Sequence, residues 1–136
     1  GGVPTAVVDL KLSGVSRPNW TWNATAGAWH RAEGTTPATE SDGTALRAAN
    51  VVVLRVEVVN TGSTDPAGNP VPETQMVGSG EALVASGGAS IAATWSKASP
   101  TDPVVLADAG GQPILLAPGT TWVELVPTRT GAVTLG

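Results

Sequence analysis

The side chains that could act as acids, bases or metal ligands are few in this chain. Glu81 and Glu124 both lie in strand-like segments, and two carboxylates can supply the acid and the base of a glycosidase. Nothing in the sequence sets them opposite each other, which favours solvent-facing or salt-bridged positions. His30 is the only histidine, and without a nearby nucleophile or further ligands it is interpreted as an ordinary strand residue. We predict no catalytic residue and no metal site.

Two tryptophan–cation pairs are better candidates for binding. Trp29 and Arg31 are two residues apart, as are Trp95 and Lys97, so each pair shares one face of a strand. In a cleft, a cation stacked beside an indole could hold a sugar or an anionic wall polymer. On an ordinary sheet the same pair only shields the edge of a tryptophan, and this interpretation is favoured. The candidate ligand-binding residues are Trp22, Trp29, Arg31, Glu81, Trp95 and Lys97.

Neither a phosphate nor a calcium ion has a recognisable binding loop. The Gly-Ser-Gly-Glu run from Gly78 lacks the Gly-Lys-Ser/Thr ending and the following helix of a phosphate loop. Asp65, Asp102 and Asp108 fall in loops, but no run has the ligand density of a calcium site. We expect no cofactor.

Short β-strands must position these side chains. Val52, Leu54, Val56 and Val58 alternate with other residues and form one apolar face of the clearest strand. Residues 33–47 are predicted as a surface loop, and 61–73, which contain three prolines, as a long excursion between strands. Strands are predicted at 7–12, 20–22, 28–33, 50–60, 81–85, 91–97, 104–106, 113–116, 120–126 and 132–135. The pattern predicts an all-β fold, a small antiparallel β-barrel or β-sandwich with long loops.

Composition excludes several kinds of partner. Seven Lys and Arg are scattered over 136 residues with a formal charge of −4, so neither nucleic acid nor an anionic membrane surface has electrostatic support. Cysteine is absent, which rules out disulfides and thiolate metal sites. Charged residues make up only 13%, a pattern that suits a secreted protein from a GC-rich genome. Phe and Tyr are absent, so five Trp must serve as the large core residues.

An ordered set of short motifs resembles a known family, the C-terminal domain of the YerB-like lipoproteins (domain of unknown function 3048). Upstream, residues 22–31 resemble that family's aromatic hairpin ending in arginine, and residues 42–43 and 49–53 resemble two further segments. The downstream motifs are Gly-x-Gly-Glu-Ala from Gly78, Thr-Trp-x-Lys from Thr94, Asp-x-x-Gly-x-Pro-Ile-x-Leu from Asp108 and Pro-Gly-x-Thr-Trp-Val-Glu-Leu-Val-Pro from Pro118. The resemblance covers residues 3–127 and implies a secreted or lipid-anchored, extracytoplasmic setting, with no established activity.

The resemblance also implies a domain organisation. Residues 1–2 are interpreted as a cloning remnant, 3–127 as one domain, and 128–136 as a C-terminal tail. The family's larger N-terminal domain and its lipid-anchoring signal would lie outside this chain, and any membrane contact would be made through that anchor.

The function that we expect is a non-enzymatic cell-envelope module. It would contact the N-terminal domain of the same protein, another envelope protein or a wall glycan. The alternative is an accessory domain that completes the cleft of an envelope enzyme whose catalytic residues lie in the missing domain. A third interpretation is a purely structural brace. A large exposed apolar patch would indicate a partner domain, whereas two carboxylates converging in a deep pocket would favour the enzyme.

Overall fold

β-Strands make up the regular structure of this protein. The structure, a computed structural model, describes residues 2–13, 16–64, 70–75 and 77–136. In chain order the strands are β1 (Val3–Pro4), β2 (Val7–Lys11), β3 (Pro18–Asn23), β4 (Ala28–Glu33), β5 (Thr36–Pro37), β6 (Arg47–Ala48), β7 (Asn50–Thr64), β8 (Pro70–Gln75), β9 (Gly78–Ser86), β10 (Ala89–Lys97), β11 (Val105–Ala107), β12 (Thr121–Pro127) and β13 (Ala132–Leu135). Within these ranges the chain has no helix long and apolar enough to cross a membrane.

The strands form two sheets. The first has the order β1-β10-β9-β7-β12, with β11 paired to β10 and β8 paired to β7. The second has the order β13-β2-β3-β4-β5, with β6 paired to β4. The all-β prediction is confirmed. Of the two architectures predicted, the structure has the sandwich, because neither sheet closes into a barrel.

Strand β7 lies at the centre of the first sheet and is buried on both faces over its first half. Val51 and Val53 point to one side, and Val52, Leu54 and Val56 point to the other. All five are almost fully buried. An apolar run of this kind is typical of a strand covered on both faces. The two edges of β7 pair with β9 and with β12.

Two apolar clusters lie on opposite faces of the first sheet. The inner core fills the space between the sheets, and its fully or nearly buried members are Val8, Leu10, Trp20, Trp29, Ala48, Val51, Val53, Ala85 and Val126. The outer cluster lies on the far face, and its buried members are Val52, Leu54, Val56, Ala82, Val84, Ala93 and Trp95. Ile91, Leu106 and Ile114 pack against the outer cluster, so β11 and the segment after it cover part of this face.

Two hairpins with tight turns join strands that the sequence predicted. Strands β3 and β4 pair from Pro18↔Glu33 to Asn23↔Ala28, and the turn contains Gly27 with φ of 64°. Strands β9 and β10 pair over their full length, and both Gly87 and Gly88 have positive φ. Two adjacent residues with positive φ are what a type I′ two-residue hairpin turn requires, and glycine supplies them without steric cost.

One strand pair departs from the antiparallel prediction. Strand β12 runs parallel to β7, from Thr121↔Asn50 to Pro127↔Val56. A parallel pair needs a long crossover, and the chain between β11 and β12 provides it over the outer face of the first sheet. The predicted strand at 113–116 is not formed. Only an isolated bridge joins Ala107 and Pro113 there.

The proline-rich segment differs from its prediction, whereas the C-terminal tail carries the strand predicted for it. Instead of a long excursion over 61–73, β7 continues to Thr64 and β8 returns alongside it. Strand β8 tolerates Pro70 and Pro72 because, within the described ranges, it pairs with β7 alone and is an edge strand. Asp65 and Pro66 lie outside the described residues. The predicted last strand is confirmed, since β13 pairs with β2 as part of the second sheet.

Candidate functional site

Glu124 is the most deeply buried carboxylate of the described residues, and four donors surround it. Trp20 Nε1 and Arg31 Nε donate to Glu124 Oε2 at 3.1 and 3.2 Å. Trp122 Nε1 and Arg31 Nη2 donate to Oε1 at 3.1 and 3.5 Å. The Arg31 guanidinium carbon also lies 5.7 Å from the centre of the Trp122 ring. We call these four side chains the inner cluster.

Local sequence explains how these side chains meet. Trp122, Glu124 and Val126 alternate along β12 and face the second sheet, where Trp20 on β3 and Arg31 on β4 are directly paired. The Trp20 and Trp122 rings pack with centroids 5.7 Å apart, and the indole N–H of each donates to the carboxylate. The side chain of Glu124 is only 7% exposed.

The inner cluster suits a structural role better than a catalytic one. Both carboxylate oxygens accept hydrogen bonds from protein donors, so neither is free to take a substrate proton. The buried charge is matched by one arginine and two indole N–H groups, which is the arrangement that makes burial of a charge tolerable. The second glycosidase candidate, Glu81, is exposed on β9 and forms no part of this cluster. The described ranges contain no group of three or more His, Asp or Glu that could hold a metal ion.

The structure places most of the predicted ligand-binding tryptophans in the interior. Trp29 is fully buried in the inner core, and Trp22 packs against it with ring centroids 5.3 Å apart. Trp95 is buried in the outer cluster, where its Nε1 donates to the carbonyl of Arg55 at 2.8 Å. Gly80 makes this possible, because a Cβ there would lie 2.6 Å from Trp95 Nε1. Trp29 and Trp95 therefore present no open ring face to a sugar.

Lys97 and Glu81 remain near the surface, in different places. Lys97 Nζ donates to the carbonyl of Asp102 and lines an open cavity of about 450 Å³, with Val77 and Val105 among the other walls. Glu81 lines a separate cavity of about 230 Å³ together with Arg55. Arg31, the remaining predicted cation, belongs to the inner cluster. The six predicted residues thus do not form one site.

Two polar residues that sequence reasoning missed fix the ends of β12. Buried Asn50 donates from Nδ2 to the Ala117 carbonyl at 2.8 Å and to Thr121 Oγ1 at 3.1 Å, and its Oδ1 accepts from the Ala117 N–H at 3.0 Å. At the other end, Arg55 Nη2 lies 3.2–3.3 Å from the carbonyl oxygens of Pro127, Thr128 and Gly131. Both residues stand in the apolar strand β7, and a polar residue in such a strand is the one signal that could have indicated them.

The outward face of β12 has the opposite character. Val123 and Leu125 are in register with Val52 and Leu54, and parallel partners in register point to the same face of a sheet. The two β7 residues are buried, but Val123 is 51% and Leu125 39% exposed. We call this pair the β12 patch. The segment that Asn50 holds beside the start of β12 carries two more exposed aliphatic residues, Leu115 and Leu116.

The comparisons with known proteins agree on the fold and name no activity. The crystal structure of YerB protein from Bacillus subtilis matches with a TM-score of 0.76 at 15% identity. The match covers 96% of this chain and 44% of the YerB chain, so this domain spans less than half the length of that protein. No curated protein sequence matches the chain.

A family model, described as the C-terminal domain of a protein of unknown function (DUF3048), matches residues 8–123. The matched region runs from β2 into β12 and includes both hairpins and most of the inner core. The chain belongs to the DUF3048 C-terminal domain family.

Proposed function

We propose that this domain is a non-enzymatic contact module of the cell envelope, which docks against a neighbouring domain of a longer, lipid-anchored protein. The observation that carries the proposal is the β12 patch. The aliphatic surface of the outer cluster continues, strand by strand, from buried residues of β7 to exposed residues of β12. Contiguous apolar surface of this kind is costly in water and marks interaction sites.

The rest of the described surface gives weaker support to other functions. A glycan-binding platform needs exposed aromatic rings, and three of the five Trp are buried while the other two are partly buried against the inner core. An enzyme cleft needs converging acid and base groups, and the most buried carboxylate is saturated by donors. A docking module needs neither feature. It needs a rigid strand with apolar residues facing outward, and β12 is anchored at both ends by Asn50 and Arg55.

The neighbour that we propose is a domain of the same polypeptide. The solved YerB chain has more than half of its length outside the matching region, so in that protein this fold lies beside further chain. Linkage through one polypeptide raises the effective concentration of the two surfaces into the millimolar range, so a patch of a few aliphatic side chains is enough for docking.

Binding measurements test this proposal. The immobilised 136-residue domain is presented with the part of the YerB chain that lies outside the match, and separately with purified wall glycan. We expect binding of the protein fragment, weakened in the double variant Val123→Thr/Leu125→Thr. The matched control is Val105→Thr, because Val105 is 53% exposed on a different strand. Binding of neither probe, or equal losses in variant and control, would contradict the proposal. Binding of glycan that is insensitive to the double variant would favour the glycan-binding interpretation.

A further inference from the structure

We propose that the docking contact is made by strand addition, in which an extended segment of the neighbouring polypeptide pairs with the open edge of β12. This inference rests on the proposed function and specifies its geometry. The segment that we propose carries aliphatic side chains at alternate positions and contributes main-chain hydrogen bonds along β12.

The edge of β12 that faces away from β7 is unpaired. Among the described residues β12 pairs with β7 alone, over all seven of its residues. Strands at the edge of a sheet present a row of free N–H and C=O groups, which can template the addition of another strand.

The hydrogen bonds at the two ends of β12 show which groups are free. The Thr120 carbonyl accepts from the Asn50 N–H at 3.1 Å, and the Thr128 N–H donates to the Val56 carbonyl at 2.9 Å. The main-chain groups of both residues therefore point toward β7. Because main-chain direction alternates along a strand, the even-numbered residues between them also point toward β7.

The odd-numbered residues of β12 consequently face the open edge with both main-chain groups. Thr121, Val123 and Leu125 each offer an N–H and a C=O, whereas Pro127 has no N–H and its carbonyl already accepts from Gly131 and Arg55. Pro127 thus sets the end of the pairing window. Val123 and Leu125 are also the residues whose side chains are exposed on the outer face. An added strand would pair with the backbone of these two residues and cover their side chains.

The usual protection of an edge strand is missing from β12. Natural proteins guard such edges with lysine, a bulge, an internal proline or a charge turned inward without a partner. β12 has no basic residue and pairs with β7 without a register shift, and its proline is the last residue. Its charged residue, Glu124, points inward and is fully paired with Arg31 and two indoles. None of these features of β12 prevents another strand from pairing with its open edge.

A neighbouring segment fits this edge better than a second copy of the domain. The chain has a formal charge of −4, and two copies joined at their β12 edges would carry like net charges into contact. A segment of the same polypeptide carries no concentration requirement.

Amide hydrogen exchange followed by NMR tests the inference. In the free domain we expect the amides of Val123 and Leu125 to exchange quickly and those of Glu124 and Val126 slowly, since only the latter bond to β7. The probe is a synthetic peptide of about nine residues that alternates Val and Thr between terminal lysines, a length that spans one strand. At millimolar peptide we expect at least about tenfold slower exchange at Val123 and Leu125.

Two variants at one position separate backbone pairing from apolar contact. Leu125→Pro removes the free-edge N–H while leaving the bonds to β7, which an edge position tolerates. Leu125→Thr keeps the N–H and removes aliphatic surface. We expect Leu125→Pro to weaken peptide binding at least about tenfold and Leu125→Thr no more than about threefold. If Leu125→Pro unfolds, as read by tryptophan fluorescence, a peptide N-methylated at alternate residues takes its place, because only one of its two methylation registers should block binding.

Each other outcome overturns the inference. Equal losses in the two variants, without amide protection, would leave an apolar contact and exclude strand addition, so the proposed function would survive alone. No protection at millimolar peptide would contradict strand addition directly. A dimer of the free domain that Leu125→Pro dissociates would show that the edge is filled by a second copy.

Discussion

Alternate residues of β12 form two faces of opposite character. The inward face buries a charged side chain, and the outward face exposes aliphatic ones. Inward, Trp122 and Glu124 enter a closed cluster in which every polar group of the carboxylate has a donor. Outward, Val123 and Leu125 extend an aliphatic surface into solvent. A charged residue is thus more deeply buried than its two aliphatic neighbours. The difference teaches that the contacts of the inward face hold β12 in place. Because the strand is already held there, its outward face is available to contact a partner.

The largest expected effect comes from breaking the inward face. Glu124→Ala removes the acceptor and leaves Arg31 and two indole N–H groups buried without their partner. We expect a loss of about 3–5 kcal/mol in the free energy of unfolding, as for one partner of a buried ion pair. Urea unfolding followed by tryptophan fluorescence measures it. The control is Glu81→Ala on exposed β9, expected within about 0.5 kcal/mol. Equal effects would mean that the inner cluster is not desolvated in solution.

The second effect compares covered and open parts of the outward face. Leu54 and Leu125 are partners in register on that face, the first 2% and the second 39% exposed. Leu54→Ala should cost about 2–5 kcal/mol through lost burial and a cavity. Leu125→Ala should cost about 0.5 kcal/mol or less, because the side chain already meets water. Thermal unfolding of both variants gives the comparison. A large cost at Leu125 would indicate that something covers the β12 patch in the free protein.

A smaller effect is expected at Gly80, which packs closely against Trp95 of the outer cluster. Gly80→Ala places a methyl group 2.6 Å from Trp95 Nε1 and 2.7 Å from the Arg55 carbonyl oxygen. We expect a loss of about 1–3 kcal/mol, since relief requires movement of a buried indole or of the β7 backbone. Chemical unfolding measures it, and Gly110→Ala in an exposed turn is the control, because its nearest contact is an ordinary 3.4 Å. A neutral result would show that Trp95 moves freely and that this part of the face is looser than its burial implies.

The sequence was sufficient for the local parts of this fold. The strands of the β3/β4 and β9/β10 hairpins were predicted because alternating residues flank glycine-containing turns, and all four strands were confirmed. Alternation also placed Trp122, Glu124 and Val126 on one face of β12. It could not reveal that this face is the buried one, since Arg31 and Trp20, which bond to Glu124 from the second sheet, lie 93 and 104 residues away in the chain.

The remaining differences between the predicted and the observed structure also come from contacts between residues that are far apart in the chain. The parallel pairing of β7 with β12 depends on a crossover fastened by Asn50, whose bonds to Ala117 span 67 residues. Pro70 and Pro72 are tolerated in β8 only because it is an edge strand. The sequence alone does not show which strands lie at the edge of a sheet. Trp29 and Trp95 could not be assigned to surface or core from pattern alone, because each alternates in the same way as a solvent-facing aromatic residue would.

The position of β12 and β13 late in the chain has a consequence for folding. Each completes a sheet that begins much earlier, β12 beside β7 and β13 beside β2. Contacts this distant in sequence slow folding, because a long loop must close before they form. During synthesis, Arg31 and the indole of Trp20 are made well before Glu124, to which they bond. One edge of β7 stays unpaired until β12 is made. While residues 65–120 are made, the nascent chain therefore exposes one unpaired edge of its most apolar strand, and such an edge is prone to aggregation.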